Sequence, residues 1–365
     1  MPFPLPPQIG WSPGLLLQLS RADRAIGRLA GEGSDLPNPH ILLRPFIRRE
    51  AVLSSKIEGT QATLGELLAV EAGAHVDRSP EDLHEVANYV VALEHGIRLL
   101  KKLPLSLRLV RGVHAKLMHG VRGDSATPGE FRRSQNWIGT SRSTPATAKY
   151  VPPPADALAD TLGAWEKFLH DRSLPPLVQA ALLHSQFEAI HPFLDGNGRV
   201  GRLLITLFLI ERDVLPSPLL YLSAYFEATR QTYYDRLLGV TEAGEWEAWI
   251  EYFLAGVEKQ SDDALRRTAE INDVLRGWRR QVVRVGSTVA PQAIDLLAEN
   301  PFWTARGIAK RLGVAFTTAQ RVLERLESLG IVDETTSAKR DRVYCARRIL
   351  RILEAPVRPG SRKAP

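Results

Sequence analysis

Between residues 191 and 202 the sequence reads HPFLDGNGRVGR, one imidazole, one carboxylate, one carboxamide, three glycines and two guanidinium groups in twelve positions. Helical periodicity in "PPLVQAALLHSQFEAI" stops at His191, because Pro192 turns its predecessor away from helix. It resumes at "NGRVGRLLITLFLIERD", so the motif is predicted to be a loop between two helices, the second opened by Gly196, Asn197 and Gly198. A helix N-terminus offers unpaired N–H groups and partial positive charge, a ready phosphate site, and glycines let the backbone come close. Arg199 and Arg202, three apart, share one face of the first turns. Two cations there oppose the helix dipole unless an anion lies between them. A polyphosphate meets every one of these conditions. Asp195 would repel it unless the carboxylate holds Mg²⁺ bridging the phosphate oxygens. His191, with an ordinary pKa near neutrality, is then the base that takes a hydroxyl proton. Phe193 reads as the packing anchor that fixes the loop. Taken singly, each feature is ordinary: a loop histidine, a Gly-Asn-Gly turn, a solvated pair of arginines. Their fixed spacing points to phosphate chemistry.

A second stretch, "SSKIEGT" at 54–60, ends a predicted helix at Gly59, a residue favoured just past a helix end. Glu58 stands in its last turn, where the dipole disfavours an anion and a cation from elsewhere would relieve it. His184 reads as part of a core helix. Cys345 and the other histidines receive no role.

The elements that must position these groups are mostly helical. Apolar residues recur at helical spacing in "GLLLQLSRADRAIGRLAG", "NPHILLRPFIRREAVLSSKIEG", "LHEVANYVVALEHGIRLLKK", "LVRGVHAKLMHGV", "ADALADTLGAWEKFLHD" and the long run from Trp246 to Arg280. Between them "NWIGTSRSTPATAKYVPPP" (136–154) has the β-branched residues, glycine and prolines of a short hairpin or flap. From 287 onward two helices around a glycine turn, then the basic hairpin "VDETTSAKRDRVYCA", resemble a winged helix-turn-helix domain. The expected organisation is an N-terminal helical region (1–80), a catalytic core (81–280), a winged helix (285–350) and a disordered basic tail (351–365).

The 365 residues are 44% apolar and 24% charged, a globular composition with room for more than one domain. The single cysteine excludes a disulfide framework and fits a reducing compartment. The longest apolar run, "LLITLFLI" at 203–210, is far short of the roughly 20 residues a membrane span needs. With no secretory signal in "MPFPLPPQIG", the expected location is cytoplasmic, with no membrane partner. Charge is uneven: residues 301–365 hold 14 Lys/Arg against 6 Asp/Glu, whereas the first 300 residues sum to −2. That asymmetry points to DNA or another anionic partner for residues 285–350.

The stretch HPFLDGNGRVGR resembles the Fic (filamentation induced by cAMP) family motif His-x-Phe-x-Asp/Glu-Gly-Asn-Gly-Arg-x-x-Arg, with every defined position matched. The likeness extends through "FRRSQNWIG…YVPPP" and "YYDRLL", roughly from 36 to 270. It implies a mainly α fold: a Fic-type helical bundle, a short β-hairpin flap, an N-terminal helical extension and a C-terminal winged helix. It implies transfer of AMP from MgATP to a Tyr, Thr or Ser hydroxyl of a target protein. His191 would be the base and Asp195 the Mg²⁺ ligand. Gly196, Asn197, Gly198, Arg199, Val200, Gly201 and Arg202 would bind the nucleotide, Asn197 and the glycine amides at the α-phosphate and the arginines at the outer phosphates. Tyr233 and Tyr234 match a tyrosine pair lining the nucleotide site, although helix packing explains them equally well. Lys149, Tyr150, Val151 and Pro152 match the family's target-docking flap. Ser54-x-x-x-Glu58-Gly59 matches its inhibitory motif, in which Glu58 pairs with Arg202 and Ser54 helps hold the element in place. The resemblance leaves open self-modification, a homodimer and removal of AMP by the same site. A DNA-binding regulator using the Fic domain as a nucleotide sensor is a competing reading, which the intact His191, Asp195 and Arg202 disfavour. Transfer from another nucleotide or phosphate donor is a third, disfavoured by Gly196 and Gly198.

Overall fold

A computed structural model describes residues 1–35, 39–76, 79–121, 127–139, 142–283, 288–336 and 341–356. Eleven helices precede a C-terminal unit: α1 (Pro13–Asp35), α2 (Pro39–Ile57), α3 (Leu64–Glu71), α4 (Pro80–Leu100), α5 (Leu107–Leu117), α6 (Leu158–Leu169), α7 (Pro176–Ile190), α8 (Asn197–Glu211), α9 (Ser223–Ala228), α10 (Arg230–Ala243) and α11 (Trp246–Val283). The helices flanking the motif, α7 and α8, form the centre and bury nearly every side chain. Both are apolar all round rather than striped, as helices packed on every side must be. Helices α4 and α5 cover α8, while α6, α10 and α11 cover α7. Helix α1 lies along α11, whose 38 residues extend roughly 57 Å. Helix α2, which carries "SSKIEG", packs against α4, α8 and α9.

The C-terminal unit runs α12 (Ala290–Glu299), β1 (Phe302–Thr304), α13 (Ala305–Leu312), α14 (Phe316–Ser328), β2 (Asp333–Glu334), β3 (Val343–Cys345), α15 (Arg347–Glu354). Its strands form an antiparallel sheet in the order β1-β3-β2, with Cys345 paired to Phe302 on one side and Asp333 on the other. Thr304 caps α13 by accepting from the Gly307 N–H at 3.0 Å, and Gly313 ends it at positive φ. The expected two helices and hairpin are present; the strand "FWT" was hidden in a segment too short for periodicity to register.

Three expectations change. The boundary at 350 falls inside α15, whose Ile349 and Leu353 are buried, so residues 351–356 are structured rather than tail; residues 357–365 lie outside the described residues. The C-terminal unit is not set apart: α12 packs on α2 and α11, and α15 on α2, α3 and α11. Glu354 accepts from the Gly65 N–H at 3.0 Å, Asn300 donates to the Leu68 carbonyl at 3.1 Å, and Arg44 lies 3.6 Å from Glu299. The flap is not a regular hairpin. Among the described residues it is one antiparallel bridge, Ile138 with Tyr150, and residues 140–141 lie outside the description.

Candidate active site

Helix α7 ends at Ile190, two residues before Pro192, and His191 takes the left-handed conformation (φ 49°, ψ 60°) that turns the chain into the loop. The loop closes through Asn197. Its Oδ1 accepts from the Phe193 N–H and its Nδ2 donates to the Phe193 carbonyl, both at 2.8 Å. Oδ1 and one Nδ2 hydrogen are thereby spent on the loop backbone, so what Asn197 keeps for a ligand is its other Nδ2 hydrogen and its position at the opening of α8. Gly196, just before it, has φ 76°, and a Cβ there would meet Met118 Sδ at 2.8 Å. Only glycine fits that turn.

Phe193 is fully buried, the anchor the sequence suggests. It stacks on His114 at 3.7 Å between ring centroids, 3° from parallel. The His114 Nδ1 accepts from the Gly129 N–H at 2.8 Å, so its Nε2 carries the proton toward the Asp195 carbonyl, 3.1 Å away. Burial pushes the His114 pKa down to about 4, keeping the ring neutral in that role. Arg132 ties the loop to the flap. It is 3% exposed, and it donates to the carbonyls of His191 (3.0 Å), Ser134 (3.1 Å) and Pro153 (2.5 Å). Asn136 adds donations to the His191 and Phe193 carbonyls. The Tyr150 hydroxyl donates to the Ala189 carbonyl at 2.8 Å, pinning the flap on α7, while Lys149 and Val151 are exposed and Pro152 is buried.

The His191 side chain is half-buried, with Nδ1 3.3 Å from the Glu188 carbonyl. A carbonyl only accepts, so Nδ1 holds the proton and Nε2 is left as the base. Burial lowers the His191 pKa to about 4, against smaller upward contributions from the Glu188 carbonyl and the Glu58 carboxylate. At neutral pH the ring is uncharged, the form a base requires. The Asp195 side chain stays half exposed, and its Oδ1 accepts from the Gly196 N–H at 2.6 Å.

The two arginines reach different partners. Arg199 is buried, 3.5 Å from Glu85 and 3.9 Å from Asp195, with Nη2 3.6 Å from Met118 Sδ. Arg202, 2% exposed, points at α2. Its Nε donates to Ser54 Oγ at 2.9 Å, and its Nη2 donates to the Ser54 carbonyl at 3.0 Å and to Glu58 Oε1 at 2.6 Å. The Glu58 carboxylate lies directly over the first turn of α8: a Cβ on Gly198 would meet its Oε1 at 2.3 Å. Burial acts to raise the Glu58 pKa, yet Arg202, Arg199 and His191 together hold it below the ordinary carboxylate value. The anion that two cations at a helix N-terminus require is thus present, supplied by α2. Val200 and Gly201 lie buried between the arginines, and a Cβ on Gly201 would strike Glu188 Oε1 at 2.5 Å.

Beside this loop, between flap, α7 and α10, opens a cavity of about 390 Å³ lined by Ile138, Tyr150, Glu188, Tyr234 and Leu237. The tyrosine pair divides: Tyr234 lines the cavity, whereas Tyr233 is core, its hydroxyl 2.8 Å from His184 Nε2. His184 is buried, as its helix position suggests. Sequence reasoning passed over His114, Arg132 and Glu188. Burial raises the Glu188 pKa to about 7, with Arg202 opposing and Glu58 adding. The only signal for Arg132 was its place in "FRRSQNWIG".

These features place two arginines at a helix N-terminus, a neutral imidazole beside them and an internal carboxylate across them. The family models for "Fic/DOC family N-terminal" and "Fic/DOC family" match residues 16–98 and 104–209, together just over half of the sequence. The chain belongs to the Fic/DOC family. It is 29% identical over 221 residues to the protein adenylyltransferase Fic of Drosophila virilis and 28% to that of Drosophila grimshawi. Each match covers 59% of this chain and 42% of the relative, so the chain matches less than half the length of these curated relatives. Its fold is similar to a crystal structure of a Fic family protein from Desulfovibrio desulfuricans G20, with TM-score 0.63 and 21% identity, over 93% of this chain and 98% of the other. Fic-1 from C. elegans superposes with TM-score 0.53 and 20% identity, over 70% and 74%. Among the described residues no helix is long and apolar enough to cross a membrane.

Proposed function

We propose that this chain transfers AMP from MgATP to a protein hydroxyl, and that α2 holds it in a blocked state. The observation that carries this reading is the placement of Arg202 and the α8 N-terminus around an anion that the chain itself supplies. His191 Nε2 takes the proton of the target Tyr, Thr or Ser hydroxyl. The oxygen attacks the α-phosphorus, and the bond to the bridging oxygen of the β-phosphate breaks, so pyrophosphate leaves with the electron pair. Catalysis rests on positioning and charge: the N–H groups opening α8 face the phosphates, and Arg199 and Arg202 balance their charge. The cavity beside Tyr234 takes the nucleoside, and the flap around Lys149–Pro153 registers the target. Among the described residues no three His, Cys, Asp or Glu side chains gather into a metal cage. One exposed carboxylate suits Mg²⁺, which arrives with phosphates and keeps several waters. Asp195 would hold it, and the ion would neutralise phosphate charge. While Glu58 occupies Arg202, the outer phosphate has no guanidinium to orient it.

The test is incubation with α-labelled ATP and Mg²⁺, with and without Glu58→Gly, followed by mass spectrometry of labelled protein. Label on protein that rises in the variant supports the proposal; absence of label in both refutes transfer. A second reading, a nucleotide-sensing DNA-binding protein, is favoured by the C-terminal unit. Its element order and three-stranded sheet resemble those of a winged helix, and Phe316 at the start of α14 is 55% exposed. Against it, Arg306, Arg311 and Arg342 already face Asp341, Glu299 and Glu334.

A further inference from the structure

Helix α2 has two working stripes. Glu50 and Ser54 are buried on one stripe, and Glu58, just past the helix end, continues it, with Ser54 and Glu58 on Arg202. Arg49, Val52, Leu53 and Lys56 face the other way, into a cavity of about 600 Å³ closed by the start of α3, by α9 and by the end of α15. Its walls are largely apolar, including Val52, Leu64, Ala228 and Pro356.

Arg49 is the anomaly there. It is 8% exposed, and among the described residues it makes no hydrogen bond and no ion pair. Among the described residues the neighbouring carboxylates each have another hydrogen-bond or ion-pair partner, and Asp263 and Glu50 act on Arg49 only through space. Asp263 is shared by Arg266 and Arg267. Glu50 accepts from the Ser223 hydroxyl at 2.5 Å, Glu227 pairs with Lys56 at 2.8 Å, and Glu354 accepts from the Gly65 N–H. Arg267 is itself fully buried, donating to the Ala355 carbonyl at 2.7 Å, and it adds a like charge. Burial and then Arg267 push the Arg49 pKa down to about 10. A guanidinium keeps its charge at neutral pH and carries five donors in a planar fork. The Arg49 guanidinium is held through space by Asp263 and Glu50 but carries no directed hydrogen bond, so its donors are free to meet an anion entering the cavity.

We propose that this cavity binds a small amphiphilic anion, a carboxylate or phosphate ester with a short apolar tail, anchored by Arg49. The head group matches the fork in bidentate fashion, and the tail matches the aliphatic walls. The occupant lies against the same helix that carries Glu58, on the opposite stripe.

The test is titration calorimetry on the full chain with hexanoate and hexyl phosphate. Hexanol supplies the tail without the charge, and inorganic phosphate the charge without the tail. The expected result is saturable binding of hexanoate or hexyl phosphate that exceeds both controls and persists with saturating MgATP. Arg49→Gln should weaken it about tenfold or more, the worth of one charge-assisted contact, and Arg49→Lys less. Ala228→Trp, at an exposed position on the cavity wall, should also weaken it and serves if Arg49→Gln fails to fold. Tighter hexanoate identifies a carboxylate ligand; tighter hexyl phosphate identifies a phosphate ester. Equal binding of hexanol, displacement by MgATP, wild-type affinity in Arg49→Gln or Ala228→Trp, or no binding of either probe would overturn the proposal.

Discussion

Replacing Glu58 by glycine removes one of three contacts on Arg202 and leaves two. The lost contact is an ion pair at 2.6 Å, with the Arg202 side chain 1% and the Glu58 side chain 37% exposed. Unit charges about 4 Å apart interact by about 4 kcal/mol at an intermediate dielectric. With over a third of the carboxylate open to water, and with desolvation opposing, about 1–3 kcal/mol remains as bias toward the blocked arrangement. That corresponds to about a 5- to 150-fold change in the competent population. The Ser54 hydroxyl and carbonyl still accept from Arg202 after the substitution, so release is expected near the lower end, about tenfold. Adding Ser54→Ala should raise the rate further, Glu58→Asp should release partially, and Glu58→Gly with Arg202→Ala should lose the gain. The assay is initial-rate incorporation of α-labelled AMP into protein at saturating MgATP. Equal rates in wild type and Glu58→Gly, with a confirmed target present, would refute the argument that Glu58 blocks the site.

Other outcomes follow from the same geometry. His191→Ala should abolish transfer while ATP affinity, measured by calorimetry, stays near wild type, because the base acts on the target's proton. Arg132→Ala leaves buried carbonyls of the loop and flap without a donor and should cost about 2–3 kcal/mol in urea denaturation, with Arg132→Lys recovering part. Removing residues 284–365 uncovers the faces of α2 and α11 that α12 and α15 bury. The truncated chain should melt lower than the full chain, contrary to the expectation of a separable domain. Stability should fall as pH drops from about 6.5 to 4. The folded-state pKa values of His114, His184 and His191 are near 4, 3 and 4, so the unfolded chain binds more protons in that window. Glu188, raised to about 7, acts oppositely, its contribution present at low pH and lost as pH rises through 7, and Glu50, Asp23 and Glu354, also raised, act with it; the expected slope is that of the three histidines outweighing these carboxyls. A melting temperature flat between pH 7 and 4.5 would contradict this, and His184→Gln should shallow the slope.

The sequence made the motif legible because its logic is local. Pro192 ends α7, Gly196 turns the chain, and Arg199 and Arg202 fall on one side of α8, all within a dozen residues. The Glu58–Arg202 pair spans 144 positions and was reachable only by resemblance. His114 and Arg132 escaped notice because their partners, Asp195 and His191, lie 81 and 59 residues away. Nothing near either residue distinguishes it from an ordinary helix histidine or surface arginine. Asn197 hid a second task for a related reason: an amide in a phosphate motif suggests a ligand contact, and only coordinates reveal that it also closes the loop on the Phe193 backbone. The pairing of α15 with α2 and α3 was equally hidden, since a short basic stretch near the end of a chain resembles a tail.

The brace on α2 also has an order in time. Translation runs from the N-terminus, so α2 is finished at residue 57, whereas α15, which seats Glu354 on α3 and offers its carbonyls to Arg267, begins at residue 347. At about 5–20 residues per second, roughly 15–60 s separate the two. The whole phosphate loop, from His191 to Arg202, is made inside that interval. A growing chain therefore possesses His191, Arg199 and Arg202 before it possesses everything that packs on α2. Loop-closure entropy, modest in its dependence on length, makes α15 the last clasp to fasten. A ribosome that stalls just before α15 would display the loop from His191 to Arg202 with α2 packed on its earlier partners, among them α4, α8, α9 and α12, but not on α15.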